Sequence, residues 1–185
     1  MHYAGIGSRN TPQACLDFMT KVGRVCTKKG LTLRSGGAVG ADQAFERGCD
    51  LEGGQKEIWA PKSQHIIEHE WAIEKAKAVC WEYPLHKMKP YTRSLIIRNM
   101  YQIFGDDPDN LKPVKFVVFY CEGDPLMQGK LSGGTRYAVR AAHNYLLPMF
   151  NLRTCQLRFA NYLKAYPEPY DDPTPFSPHP RQKVP

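Results

Sequence analysis

The sequence contains no uninterrupted apolar run approaching the roughly 18 residues that span a bilayer as a helix, so a helical membrane protein is not expected. It has no basic segment leading into a short apolar core near its start, the pattern of a secretory signal, and cytoplasmic residence is expected. There is no C-x-x-C pair. The six cysteines, Cys15, Cys26, Cys49, Cys80, Cys121 and Cys155, are scattered mostly through apolar stretches. That spacing predicts reduced, buried thiols rather than a disulfide framework or a thiolate metal site. No internal repeat is visible, which excludes a solenoid. Neither a metal nor a cofactor is expected. Negative charge is also scarce: 18 Asp and Glu stand against 25 Lys and Arg, a net charge of +7. The balance favours anionic partners such as nucleotides, phosphorylated metabolites or nucleic acid.

With 185 residues, 42% of them hydrophobic, the chain suits one globular domain. A short strand at residues 2–6 runs into "GIGSR", and Cys15, Phe18, Met19, Val22, Val25 and Cys26 then recur at helical spacing up to Gly30. "LTLRSGG" (31–37) is a second strand, "ADQAFERGCDLEGG" a second helix and "KEIWAP" a third strand. Two helical segments, 63–82 and 91–104, follow without a strand between them and read as an insertion or a cap on the sheet. "VKFVVFY" (114–120) is the strongest buried strand, and "SGGTRYAVRAAHNYLL", "PMFNL" and residues 154–165 give a helix, a fifth strand and a last helix. The alternation predicts a doubly wound, mainly parallel five-stranded α/β sheet of Rossmann-like type, residues 1–165, with a helical insertion at 63–105. Seven prolines in 166–185 predict an extended or disordered tail.

Three glycine-bearing loops follow strands. They place Gly7, Ser8 and Arg9, then Ser35, Gly36, Gly37, Gly40 and Asp42, then Ser132, Gly133, Gly134 and Thr135 at the end of the sheet where open parallel sheets bind ligands. Any one of them is explained by a tight turn or a helix cap. The three together, each with a hydroxyl or an arginine beside the glycines, predict an anion-binding cleft whose backbone donors, with Arg9, face a phosphate.

In order, "GIGSRNTP", "GLTLRSGGAVGADQAFERG", "IIRN" and "SGGTRYAV" resemble the SLOG superfamily over residues 2–152. This Rossmann-like group joins the Smf/DprA DNA-processing proteins to the Lonely Guy (LOG) cytokinin-activating enzymes. Ser35, Gly36, Gly40, Asp42 and Ala44 follow the "SG-x-A-x-G-[IA]-D-x-A" signature of the DNA-processing branch, and Arg98 and Asn99 resemble its "RN" pair. The LOG loop "PGGxGTxxE" is not reproduced: Tyr137 and Ala138 stand where acids are needed. The resemblance is to a stand-alone DprA-like form of phage or bacterial type. It implies a nucleotide-derived ligand and a homodimer, the latter also suggested by the apolar faces of the insertion helices. A DprA-like single-stranded DNA binder and a LOG-like nucleotide N-glycosidase, with Glu122 or Asp124 as the acid, are the alternatives.

Other patterns carry less. "HIIEH" (His65, Glu68, His69) matches H-x-x-E-H, but Glu70 and Glu74 make it a solvated helix face with no distant carboxylate to complete a zinc site. Trp81, Tyr83 and Tyr91 near Lys87 and Lys89 form either a base-stacking surface or a satellite of the core. Arg93 and Arg98 are candidate phosphate contacts.

Overall fold

The computed structural model describes residues 1–60, 68–127 and 133–166. The expected tail and residues 61–67 and 128–132 lie outside them. In chain order the elements are β1 (His2–Gly7), α1 (Gln13–Lys28), β2 (Thr32–Ser35), α2 (Ala41–Leu51), β3 (Lys56–Ile58), α3 (Glu70–Val79), α4 (Pro90–Phe104), β4 (Val117–Tyr120), α5 (Thr135–Asn144), β5 (Met149–Asn151) and α6 (Gln156–Ala165), with a single 3-10 turn at Leu85–Lys87.

The sheet is α/β, five-stranded and parallel throughout, in the order β3-β2-β1-β4-β5. Successive strand residues face opposite sides. Ala4 and Ile6 with Val117 and Phe119 look towards α3, α4 and α5, whereas Tyr3, Leu33, Val118 and Tyr120 look towards α1, α2 and α6. Both faces are covered, which is why the central strand VVFY is apolar at every position instead of alternating.

The helices expected between the third and fourth strands are present, but α4 is not an appendage. It is the crossover between β3 and β4 and forms the sheet's second layer, with every residue from Ile96 to Phe104 buried. The apolar surface of α4 from Ile96 to Phe104, part of what suggested self-association, is therefore consumed within the chain. The first of the two helices is shorter than its periodicity implies, occupying 70–79. The fourth strand begins three residues later than expected, because Lys112 and Val114 donate their amides to the end of α4, at Phe104 O and Ile103 O, around Pro113.

On the opposite face, α1 and α2 approach so closely that a Cβ on Gly48 would lie 2.1 Å from the Thr20 carbonyl oxygen, and one on Gly23 2.5 Å from that of Phe45. The obstacle in each case is backbone, which cannot swing aside. Gly48→Ala is therefore expected to lower the unfolding free energy by about 1–3 kcal/mol, the cost of overpacking a tight interface. Urea unfolding would show it, and a variant as stable as the parent would contradict the close approach.

Candidate functional site

A cavity of about 540 Å³ opens beyond the carboxyl ends of β1 and β4. This is the point where chain order reverses, since β2 continues the sheet on one side of β1 and β4 on the other. Gly7, Ser8 and Arg9 reach it from β1, Glu122 from β4, Asp42 from α2 and Arg98 and Asn99 from α4. Gly133, Gly134 and Thr135 close it at the start of α5. Ser132 lies outside the described residues. Ser35, Gly36, Gly37, Gly40 and Asp124 do not line it.

The first loop differs from expectation in what its backbone does. The Gly7 amide donates to Asp42 Oδ1 at 3.0 Å and the Ser8 amide to the Tyr120 carbonyl at 3.0 Å. Ser8 Oγ accepts from the Asn10 amide at 3.1 Å, and the Ser8 carbonyl accepts from Thr11 Oγ1 at 2.8 Å. The Gly7 and Ser8 donors are thus committed inside the protein. Glycine stands at position 7 because α2 crosses there: a Cβ would sit 2.6 Å from that of Ala41. What the loop presents to the cavity is the Arg9 guanidinium, exposed and without an acceptor among the described residues.

The second loop is scaffold. Ser35 Oγ donates to the Gly5 carbonyl at 2.8 Å and is fully buried. Gly36 makes room for Arg98, whose Nη1 would otherwise lie 1.7 Å from a Cβ. Gly40 adopts φ +94°, a left-handed conformation that glycine enters without steric cost, as it turns into α2. In the first turn of α2, Asp42 takes the amides of the two loops beside it, accepting from Gly7 and from Ala38 at 3.3 Å, while the first amide of the helix, that of Ala41, donates to the Ser8 carbonyl at 3.3 Å. Burial pushes the Asp42 carboxyl up to about 6, against the charge of Arg98 and the amides of Ala38, Gly7 and Gly36.

Two neighbours on α4 hold the cavity walls. Arg98 Nη1 donates to the Gly36 carbonyl at 3.0 Å and the Trp59 carbonyl at 3.1 Å, joining the ends of β2 and β3. Asn99 Nδ2 donates to the Gly134 carbonyl at 2.9 Å and fixes the start of α5. Gln102, which sequence reasoning missed, completes the network. Its carbonyl accepts from Arg98 Nη1 at 3.1 Å and from the Gly36 amide at 2.8 Å, and its amide donates to Asn99 Oδ1 at 3.2 Å. The signal was available, because positions 98, 99 and 102 share one helix face. Arg98 is 8% exposed, and its buried Nε has no acceptor. Burial lowers its basicity, Asp42 and Tyr91 oppose that, and the nearby charge of Arg9 lowers it further.

The start of α5 contrasts with that of α2. Neither helix has a side-chain cap, but α2 carries Asp42 in its first turn and α5 has no acidic residue there. Its leading amides have no acceptor within the helix, and the positive end of the helix dipole points outward there. The two carboxylates after β4 part company: Glu122 is exposed and lines the cavity, whereas Asp124 Oδ1 accepts the Leu126 amide at 2.9 Å and so shapes the turn. Arg140, fully buried, holds that turn from behind, donating to the Pro125 carbonyl at 2.9 Å and pairing with Glu82. Cys121 lines the cavity, but burial pushes its thiol up to about 11, away from nucleophilic use. Of the H-x-x-E-H pattern, His65 lies outside the described residues, Glu68 pairs with Arg93 at 2.8 Å, and His69 precedes α3 beside Tyr101. No cluster of metal-ligating side chains occurs among the described residues. No described helix is long and apolar enough to cross a membrane. Comparison with family models, curated proteins and solved structures gives no match to the chain.

Asp42 offers a direct check on this electrostatic picture. Its folded pKa, about 6, lies above the ordinary 3.8, so its contribution to stability is full below the lower value and is lost as pH rises through the upper one. Carbon-detected NMR of the carboxyl is expected to show a midpoint near pH 6. The stability difference between wild type and Asp42→Asn should change over the same range. A midpoint at the ordinary carboxylate value would contradict the burial of this group.

Proposed function

We propose that the cleft binds a nucleotide-derived ligand by its phosphate. The observation that carries the reading is the pair of guanidiniums at the cavity: Arg98 donates to the protein through Nη1 alone, Arg9 is unpartnered among the described residues, and the charge of Arg9 disfavours that of Arg98. An anion between them pairs with the Nη2 edge of Arg98, which makes no hydrogen bond among the described residues, and offsets the repulsion; charge-assisted contacts of this kind are the strong ones. The uncapped start of α5 adds amide donors of the sort that bind phosphate. Glu122, exposed on the opposite wall, suits a sugar hydroxyl. The resemblance to the SLOG superfamily, in a stand-alone DprA-like form, supports the same reading, and cytoplasmic residence and pairing into a homodimer go with it.

The two alternatives are weaker on specific grounds. N-glycosidic cleavage calls for a free carboxylate placed as acid or base. Of the two candidates, Asp124 is spent on its turn and only Glu122 faces the cavity. Binding along a single strand of DNA draws on the net charge of +7, but the groups just described converge on one compact cavity rather than along a face.

Mass spectrometry of small molecules released on heating the purified protein is expected to show a phosphorylated nucleotide derivative. In calorimetric titration with ribose 5-phosphate, Arg9→Ala should weaken binding by about ten- to a hundredfold, the loss of one charge-assisted contact, and leave the ligand-free melting temperature nearly unchanged because the side chain is exposed. Gly134→Asp should bind more weakly still, because it places a carboxylate at the anion position. The backbone at 134 accepts a side chain, the nearest atom to a Cβ being Asn99 Nδ2 at 3.9 Å, so folding is expected to survive. Affinity should fall only gently with salt. Unaltered affinity in both variants would overturn the phosphate assignment, and a steep salt slope with an oligonucleotide would favour the DNA reading.

A further inference from the structure

Helix α4 carries one face from solvent to the floor of the cavity. Tyr91, Leu95, Arg98 and Gln102 recur at intervals of four, three and four, which superposes them along one side of a helix. Their exposure falls in that order: Tyr91 is 53% exposed, Leu95 half-buried and lining the cavity, Arg98 8% and Gln102 2% exposed. Tyr91 does not itself line the cavity; it lies one turn beyond Leu95, the outermost residue of α4 that does, and about 10 Å along the helix axis from Arg98 at 1.5 Å per residue.

The aromatic side chains on the other faces of α4 are occupied with one another. Tyr101 lies against Trp59 and Trp71, and Phe104 against Trp71 and Tyr145. Among the described residues, no ring lies against Tyr91. The neighbouring cation Arg93 is committed to Glu68. The stretch from Tyr91 to Leu95 thus offers an aromatic face and an aliphatic side chain instead of a further anion site. It continues a cavity whose inner end is cationic.

We propose that Tyr91 and Leu95 form the base subsite of the cleft, so that a nucleoside monophosphate with its phosphate at Arg9 and Arg98 lays its base on the Tyr91 ring. The proposal rests on the phosphate reading above. A flat ring presented beyond Leu95 accepts any base by its π-face, and the aliphatic neighbour excludes water from one edge of the contact. The sugar spans the distance between the two ends.

The test compares AMP, GMP, CMP and UMP with ribose 5-phosphate, which has the same phosphate and sugar and no base, by calorimetric titration of the full chain. At least one nucleotide is expected to bind about five- to a hundredfold more tightly than ribose 5-phosphate, the range that base stacking on an aromatic side chain supplies. Tyr91→Ala should reduce that nucleotide to the level of ribose 5-phosphate and leave ribose 5-phosphate unchanged, which also reports an intact fold. Tyr91→Phe should keep the preference. In Tyr91→Trp, the nucleotide should quench the new indole fluorescence and ribose 5-phosphate should not.

Arg9-dependent binding of ribose 5-phosphate with no gain from any base would overturn the subsite and spare the phosphate reading. Failure of every compound to bind would overturn both. Equal losses for nucleotide and ribose 5-phosphate in Tyr91→Ala would also overturn the subsite, by making the residue structural. So would tighter, steeply salt-dependent binding of oligothymidylate, which would assign Tyr91 to a nucleic-acid strand.

Discussion

The site depends on one buried guanidinium. Arg98 reaches from α4 across the sheet end to two carbonyls, those of Gly36 and Trp59, that terminate adjacent strands. A buried cation is costly unless its donors are used, and leaving such a group unpaired costs more than pairing it returns. Much of the local sequence is arranged accordingly. Glycine at 36 gives the guanidinium room, Gln102 accepts from it, and Asp42 balances its charge from the start of α2. All these contacts use Nη1, which leaves Nη2 without an acceptor among the described residues in a side chain that lines the cavity with a second arginine. The anion binding proposed for the cavity is thus a by-product of how the sheet end is held together.

Two helix starts meet this cavity, and their chemistry differs. Near the start of α2, Asp42 takes the amides of Gly7 and Ala38, at the expense of holding a carboxyl with a pKa near 6 in the interior. The start of α5 has no acidic occupant among the described residues, and its Gly134 carbonyl accepts from the Tyr137 amide and from Asn99. The glycine-rich loop richest in signature residues is therefore the one that braces, while the plainer glycine pair before α5 is the one left open. Arg98 and Asn99 act as a unit. One fixes the wall nearest β2 and the other the opening of α5, so the cavity's width is set by a single turn of α4.

The sheet was legible because parallel strands covered on both faces read as unbroken apolar runs, VVFY above all, and because each preceding helix shows its buried face at a regular interval. The place of α4 was harder to read. A helix buried nearly all round, as this one is from Ile96 to Phe104, lacks the polar face that marks amphipathicity, so its sequence did not decide between an insertion and a cap on the sheet. At the site, the three loops and the Arg-Asn pair were legible as a constellation, but their division of labour was not. Gly7 looks like a phosphate-binding glycine in sequence, yet its conformation answers to Ala41 and its amide to Asp42, 35 residues away. Such commitments are made by tertiary contacts that no local pattern records. Gln102 was overlooked because a polar residue in a helix is ordinarily assigned to solvent, whereas here the turn that carries Arg98 into the interior carries its acceptor with it.

The central claim is that the anion site lies between Arg9, Arg98 and the start of α5, with the loop amides beside the start of α2 taken by Asp42. Proton–nitrogen correlation spectra recorded while inorganic phosphate is added test it most directly, since they report amides and arginine Nε groups separately. The account predicts saturable shifts at Gly134 and Thr135 and at the Nε of Arg9 and Arg98, with the amides of Gly36 to Asp42 nearly still. Shifts concentrated on Gly36 to Asp42, with the start of α5 unmoved, would contradict it.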